Sequence, residues 1–159
     1  MDSRSNAAGV EIRTFRPEDA AAFKELNEAW IRKYFSMEEH DYEMLDDPEG
    51  YIIRPGGQIV MAFADRRAMG CCALIPVKPG VLELAKMAVA EKSRGLGIGR
   101  KVLEFTVEKA REMGAIRLVL GTNSKLLDAV HLYESVGFRH LPPEPSPYAR
   151  ADVFMEMML

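Results

Sequence analysis

The sequence predicts a mixed α/β domain of about seven strands and about four helices, in the order β-α-α-β-β-β-α-β-α-β-β. Three observations predict it. Short runs alternate apolar and polar residues, as VEIRTF does over Val10–Phe15. Over Ile98–Met113 the apolar period becomes that of a helix. IRLVL, over Ile116–Leu120, is short and mainly apolar, as a strand covered on both sides is.

Val10–Phe15 is the first strand. Pro17, with Glu18 and Asp19 near the positive end of a helix dipole, marks a helix start, and Ala20–Tyr34 is read as that helix. A second helix is expected over Met37–Leu45, stopped by Asp46-Asp47-Pro48-Glu49-Gly50. Gln58–Ala64 and Ala68–Val77 read as strands joined by a turn at Asp65-Arg66-Arg67. Lys78-Pro79-Gly80 then turns the chain into Val81–Val89. Three successive strands with tight turns predict an antiparallel meander. In the next helix Ile98, Val102, Phe105, Ala110 and Met113 share one face, Arg100, Lys101, Glu104, Glu108 and Arg111 the other, and Gly114 stops it. After Ile116–Leu120, Asn123 or Ser124 can cap a helix that runs to about Val136 and ends at Gly137. Phe138–Leu141 and Asp152–Met158 are the last strands, with the proline-rich loop Pro142–Pro147 between them. The polar residues 1–9 are expected to be a disordered tail, and 10–159 a single domain.

A chain of 159 residues suits one core. Its 48% apolar and 28% charged residues are ordinary for a soluble globular protein. A formal charge of −3 offers a polyanion no attractive field, so no nucleic-acid partner is expected. The longest nearly apolar run, Met69–Val77, is too short to span a bilayer, and the polar start does not read as a leader. No membrane partner and a cytoplasmic location are therefore expected. Cys71 and Cys72 are adjacent and cannot close a useful loop, and His40, His131 and His140 are scattered, so no metal site is expected.

Positive charge gathers in one place, Glu91–Lys101, which reads EKSRGLGIGRK. A strand, a glycine loop and then a helix suit a phosphate. The first helical amides lack internal partners, and glycine lets the backbone approach a ligand. Two phosphate motifs fail here. A dinucleotide fingerprint starting at Gly95 or Gly97 needs glycine at 100 or 102, where Arg100 and Val102 stand; a P-loop starting at Gly95 needs glycine at 100.

Arg94-Gly95-Leu96-Gly97-Ile98-Gly99 instead resembles the Arg/Gln-x-x-Gly-x-Gly/Ala loop of the GNAT acetyltransferase superfamily. It follows the strand LELAKMAV, opens an amphipathic helix, and precedes Asn123, Ala129, Leu132-Tyr133-Glu134 and Gly137-Phe138, which resemble that family's second motif. The resemblance runs over nearly the whole chain and is weakest in the first two helices. It implies a mostly antiparallel sheet splayed at an acetyl-CoA site. It also implies acetyl transfer from that cosubstrate to a primary amine of a small molecule or peptide, within a ternary complex. A non-catalytic acyl-CoA-binding module of the same fold is the alternative, because fold does not fix activity.

The resemblance also implies residue roles. Backbone amides of about Leu96 to Arg100 would cradle the coenzyme pyrophosphate, with charge from Arg94, Arg100, Lys101 and Lys92. Backbone groups of Met87, Ala88 and Val89 would pair with the pantetheine arm, and one of their amides would stabilise the oxyanion. Tyr133 stands at the family's general-acid position. Glu83, a carboxylate between Leu82 and Leu84, is a candidate base, or a solvent-facing strand residue. Asn123 would bond the pantetheine arm, or cap its helix. Lys86 is read as a surface or ion-pair residue. On the acceptor side stand Trp30, Tyr34 and Phe35, then Tyr148 and Arg150. Arg150 could clamp an acceptor carboxylate, although aromatic residues at this spacing are also ordinary core. The sequence does not give the oligomeric state; many relatives pair as dimers through their last strands, so the resemblance leaves a homodimer possible.

Overall fold

The computed structural model describes residues 9–93 and 96–159, and the backbone of residues 3–5. Eight strands form one sheet in the order β1-β2-β3-β4-β5-β6-β8-β7. They are β1 (Ser3–Ser5), β2 (Val10–Thr14), β3 (Gln58–Ala64), β4 (Arg67–Lys78), β5 (Val81–Val89), β6 (Arg117–Thr122), β7 (Arg139–Leu141) and β8 (Val153–Met158). The helices are α1 (Ala20–Tyr34), α2 (Glu39–Asp46), α3 (Ile98–Glu112) and α4 (Leu127–Val136). Where residues 1–9 were expected to be tail, Ser3–Ser5 pair antiparallel with β2. An outer strand of this kind satisfies backbone groups that an open sheet edge leaves unpaired.

β3, β4 and β5 form the expected meander. Its strands bury both faces, so successive residues point into two cores. Val60, Ala62, Cys72 and Leu74 pack with Ile98, Val102 and Leu103 of α3. Ile59, Met61, Cys71 and Ala73 pack with Phe23 and Ile31 of α1 and with Met44 and Leu45 of α2. Cys71 and Cys72 therefore lie on opposite faces as free, buried thiols. A wide turn of π-type hydrogen bonding, with Arg54 N–H donating to Glu49 O at 2.8 Å, carries Ile52 into the second core. Among the described residues no helix is long and apolar enough to cross a membrane.

Two features of β5 shape the site. Cys71 pairs with Ala88 and Ala73 with Ala85, so Cys72 faces both Lys86 and Met87 across a bulge. Lys86 there adopts φ 52, a left-handed conformation in a non-glycine residue. On its other edge β5 pairs in parallel with β6 at only three positions, Val81–Arg117, Leu82–Leu118 and Glu83–Val119. β5 runs on to Val89 and β6 to Thr122 without further pairing between them, so the strands part beyond Glu83. β6 stays paired with β8 as far as Thr122–Val153.

Candidate active site

The gap between β5 and β6 opens into a cavity of about 800 Å³. One end is walled by Gly97, Ile98 and Gly99 and the middle by Met87, Ala88, Val89 and Tyr133; Trp30 and Tyr34 of α1, with Tyr148 and Arg150 of the loop before β8, complete the lining. At the first end α3 begins after Gly97, whose φ of 71 is left-handed. Among the described residues the first bond of the helix runs from Lys101 N–H to Gly97 O at 3.1 Å, so the amides of Ile98, Gly99 and Arg100 stand in its first turn. A Cβ on Gly97 would meet no atom within 4 Å, so space lies open over the helix start. Backbone donors, a helix dipole and open space make a fitting cradle for a diphosphate.

The Ile98 side chain itself is core. Leu96 is exposed, and the Arg100 guanidinium donates to Ser135 Oγ at 2.6 Å, so both flank the cavity without forming its wall. Arg94 and Gly95, expected in the same cradle, lie outside the described residues.

In the middle, Tyr133 is buried on α4 with its ring edge-on to Phe138 at 5.8 Å. Its hydroxyl points across the cavity to Met87 Sδ at 3.7 Å. Burial pushes its pKa above the ordinary 10, so the phenol keeps its proton. Glu83 is half-buried on the same wall, and burial raises its carboxyl pKa although Lys86 and His40 pull it down. Asn123 is not a helix cap, because α4 starts only at Leu127. It stabilises the preceding loop instead: Nδ2 donates to Arg150 O at 2.6 Å, and Oδ1 accepts from Lys125 N–H at 2.8 Å. One Nδ2 hydrogen is left for a ligand.

Trp30 and Tyr34 meet edge to face at 5.1 Å on the cavity wall, so they line the site as well as packing. Arg150 is also there, but as a clamp for an acceptor carboxylate it needs correction. Its fork already holds Asp41, with Nη1 to Oδ2 at 2.8 Å and Nη2 to Oδ1 at 2.7 Å. Nη1 also reaches Glu38 Oε2 at 3.1 Å. Lys86 bonds Asp41 Oδ1 at 2.6 Å and Tyr148 Oη at 2.8 Å, with its side chain almost wholly buried. Burial alone would raise the Asp41 pKa, yet Arg150 and Lys86 together hold it to about 2. Burial pushes the Lys86 pKa down, opposed by Asp41.

Sequence reasoning left Lys86 as a surface or ion-pair residue; it forms a buried ion pair, and the partner was missed. Asp41 joins α2 to the β5 bulge and to the loop before β8. A charged residue inside LELAKMAV and an acid three positions after Glu38 were the available signals.

The acetyltransferase (GNAT) family matches residues 21–138. An uncharacterized N-acetyltransferase of Schizosaccharomyces pombe is 29% identical over 131 residues, 80% of each chain. Human N-acetylaspartate synthetase is 37% identical over 116 residues, which span 70% of this chain but 37% of that protein. A GNAT acetyltransferase of Staphylococcus aureus superposes with a TM-score of 0.85 at 22% identity, over 94% of this chain and 98% of its own. The PaiA N-acetyltransferase of Thermoplasma acidophilum, solved with coenzyme A, gives 0.74 at 18% identity, over 94% and 99%.

Proposed function

The chain belongs to the acetyltransferase (GNAT) family and is an acyltransferase, and from that premise we propose that it acetylates a primary amine of a small molecule or peptide by direct transfer from acetyl-CoA in a ternary complex. One observation carries the reading: a single cavity joins the α3 amides, the splayed backbone of β5, the Tyr133 hydroxyl and an aromatic acceptor end. The cosubstrate supplies an acetyl thioester and leaves as a thiol.

Amides of Leu96 to Arg100 hold the diphosphate at the start of α3. Backbone groups of Met87, Ala88 and Val89 bind the pantetheine arm beyond the bulge, and one of their amides receives the oxyanion. Asn123 steadies that arm. Tyr133 Oη, neutral through burial, holds a proton for the departing sulfur. An alkylammonium at pH 7 must lose a proton, at a cost of about 4.6 kcal/mol from its pKa near 10.4. Glu83, whose pKa burial raises toward neutrality, accepts it directly or through water. Trp30, Tyr34 and Tyr148 form the acceptor wall. One relative is named for N-acetylaspartate, so a carboxylate-bearing amine is an acceptor class to test.

The test is release of free coenzyme A thiol on incubation with acetyl-CoA and a panel of amines. Thiol release that requires an amine supports transfer. Tight acetyl-CoA binding with no thiol release for any amine would identify a binding module instead.

A further inference from the structure

Two carboxylate-binding groups line the cavity, the Arg150 fork and the Lys86 ammonium, and Lys86 also donates to the Tyr148 hydroxyl at 2.8 Å. The carboxylate they surround belongs to the protein. Asp41 Oδ1 accepts from Lys86 Nζ and Arg150 Nη2; Oδ2 accepts from Arg150 Nη1 and, at 2.9 Å, from the Glu38 amide. Four donors satisfy this fully buried side chain. We propose that Asp41 is a built-in stand-in for an acceptor carboxylate, a specificity-determining residue that turns the site toward amines with no carboxylate beside the reacting nitrogen.

Charge on the wall supports this. Two cations, Lys86 and Arg150, meet two carboxylates, Asp41 and Glu38. The wall also carries Glu83, Glu144 and Asp128, against Lys125, whose ammonium stands 5.8 Å from the Phe35 ring centroid. An arriving carboxylate would find no open bidentate fork and an excess of negative charge. To take the fork it would have to displace Asp41 from Arg150, leaving a buried charge with only two of its four donors. Rejection of the wrong acceptor thus comes from an occupied site and like-charge repulsion.

This inference rests on the transfer reading for its kinetics but has a test of its own. In Asp41→Ala the Arg150 fork, the Lys86 ammonium and the Glu38 amide are left around an empty carboxylate position, so sodium acetate should raise the melting temperature of that variant above its value in sodium chloride of equal ionic strength. The wild type should show no such difference. If Asp41→Ala folds only in acetate, that also supports the proposal. An acetate response in Asp41→Ala no larger than in wild type overturns it.

The second arm compares amines differing by one carboxylate: tyramine with tyrosine, histamine with histidine, cadaverine with lysine. Wild type should favour the first of each pair by at least about tenfold in kcat/KM. Asp41→Asn, which keeps the side-chain volume, should narrow that ratio about tenfold. Equal use of both members by wild type, or an unchanged ratio in Asp41→Asn, overturns the assignment. If no amine releases thiol, the transfer reading fails, while the acetate arm still decides whether Asp41 fills a carboxylate site.

Discussion

Replacing Gly97 by Glu separates the binding role of the α3 start from its structural role. Gly97 has φ 71, where any Cβ costs about 1–2 kcal/mol. A Cβ there meets nothing within 4 Å, so no clash adds to that strain. The new carboxylate sits at the positive end of α3, which offsets about 0.3–1 kcal/mol. The fold should lose at most about 2 kcal/mol, a melting shift of at most about 8 °C for a domain of this size. Binding should change far more. A carboxylate about 4 Å from a phosphate charge, at an effective dielectric of about 20, repels it by about 4 kcal/mol. That corresponds to roughly a thousandfold loss of affinity. Calorimetric titration with acetyl-CoA, beside a thermal melt of the same sample, reads both quantities. Gly97→Ala carries the strain without the charge and should bind within about tenfold of wild type. If Gly97→Glu binds acetyl-CoA as wild type does, the diphosphate is not held at this helix start.

Three further outcomes are expected. Tyr133→Phe should lower kcat with a weakly nucleophilic amine by about 10² or more. Its melt should barely move, since the hydroxyl bonds the Met87 sulfur at 3.7 Å, and full kcat would contradict the acid role. Burial raises the Glu83 pKa and the working base is its carboxylate, so kcat/KM should fall as pH drops through a midpoint above the ordinary 4.5. Glu83→Gln should remove that limb; a limb that persists would point to another base. Asp41 has a folded pKa of about 2 against an ordinary 3.8, so its stabilisation is complete above pH 4 and lost as pH falls toward 2. That loss is about 2 kcal/mol in denaturant melts, and Asp41→Asn should lack it. The same acid dependence in both proteins would contradict the depressed pKa.

Patterns that depend on period and turn chemistry were legible in the sequence. Ala20–Tyr34, Gln58–Ala64 and Val81–Val89 match their elements end to end. The glycine loop stood out because alternate glycines between a strand and an amphipathic helix let the backbone approach a phosphate at the helix start. Less was legible where tertiary contacts override local signals. Asn123 has an N-cap side chain, yet it bonds the Arg150 carbonyl and lets the helix start at Leu127. The left-handed Lys86 is a residue that no propensity would place there; its buried pair with Asp41 accompanies that conformation. Asp41 and Arg150 stand 109 residues apart, and a single sequence contains no register to bring them together. Arg150 lines the cavity, but its Asp41 partner was invisible in the sequence, and so its fork was assigned to a substrate.

The most direct test is a crystal structure with coenzyme A and an amine. The diphosphate should lie within hydrogen-bonding distance of the Ile98, Gly99 and Arg100 amides, the pantetheine arm between β5 and β6, and the sulfur beside Tyr133 Oη. Coenzyme bound elsewhere, or a sulfur far from that hydroxyl, would contradict the account.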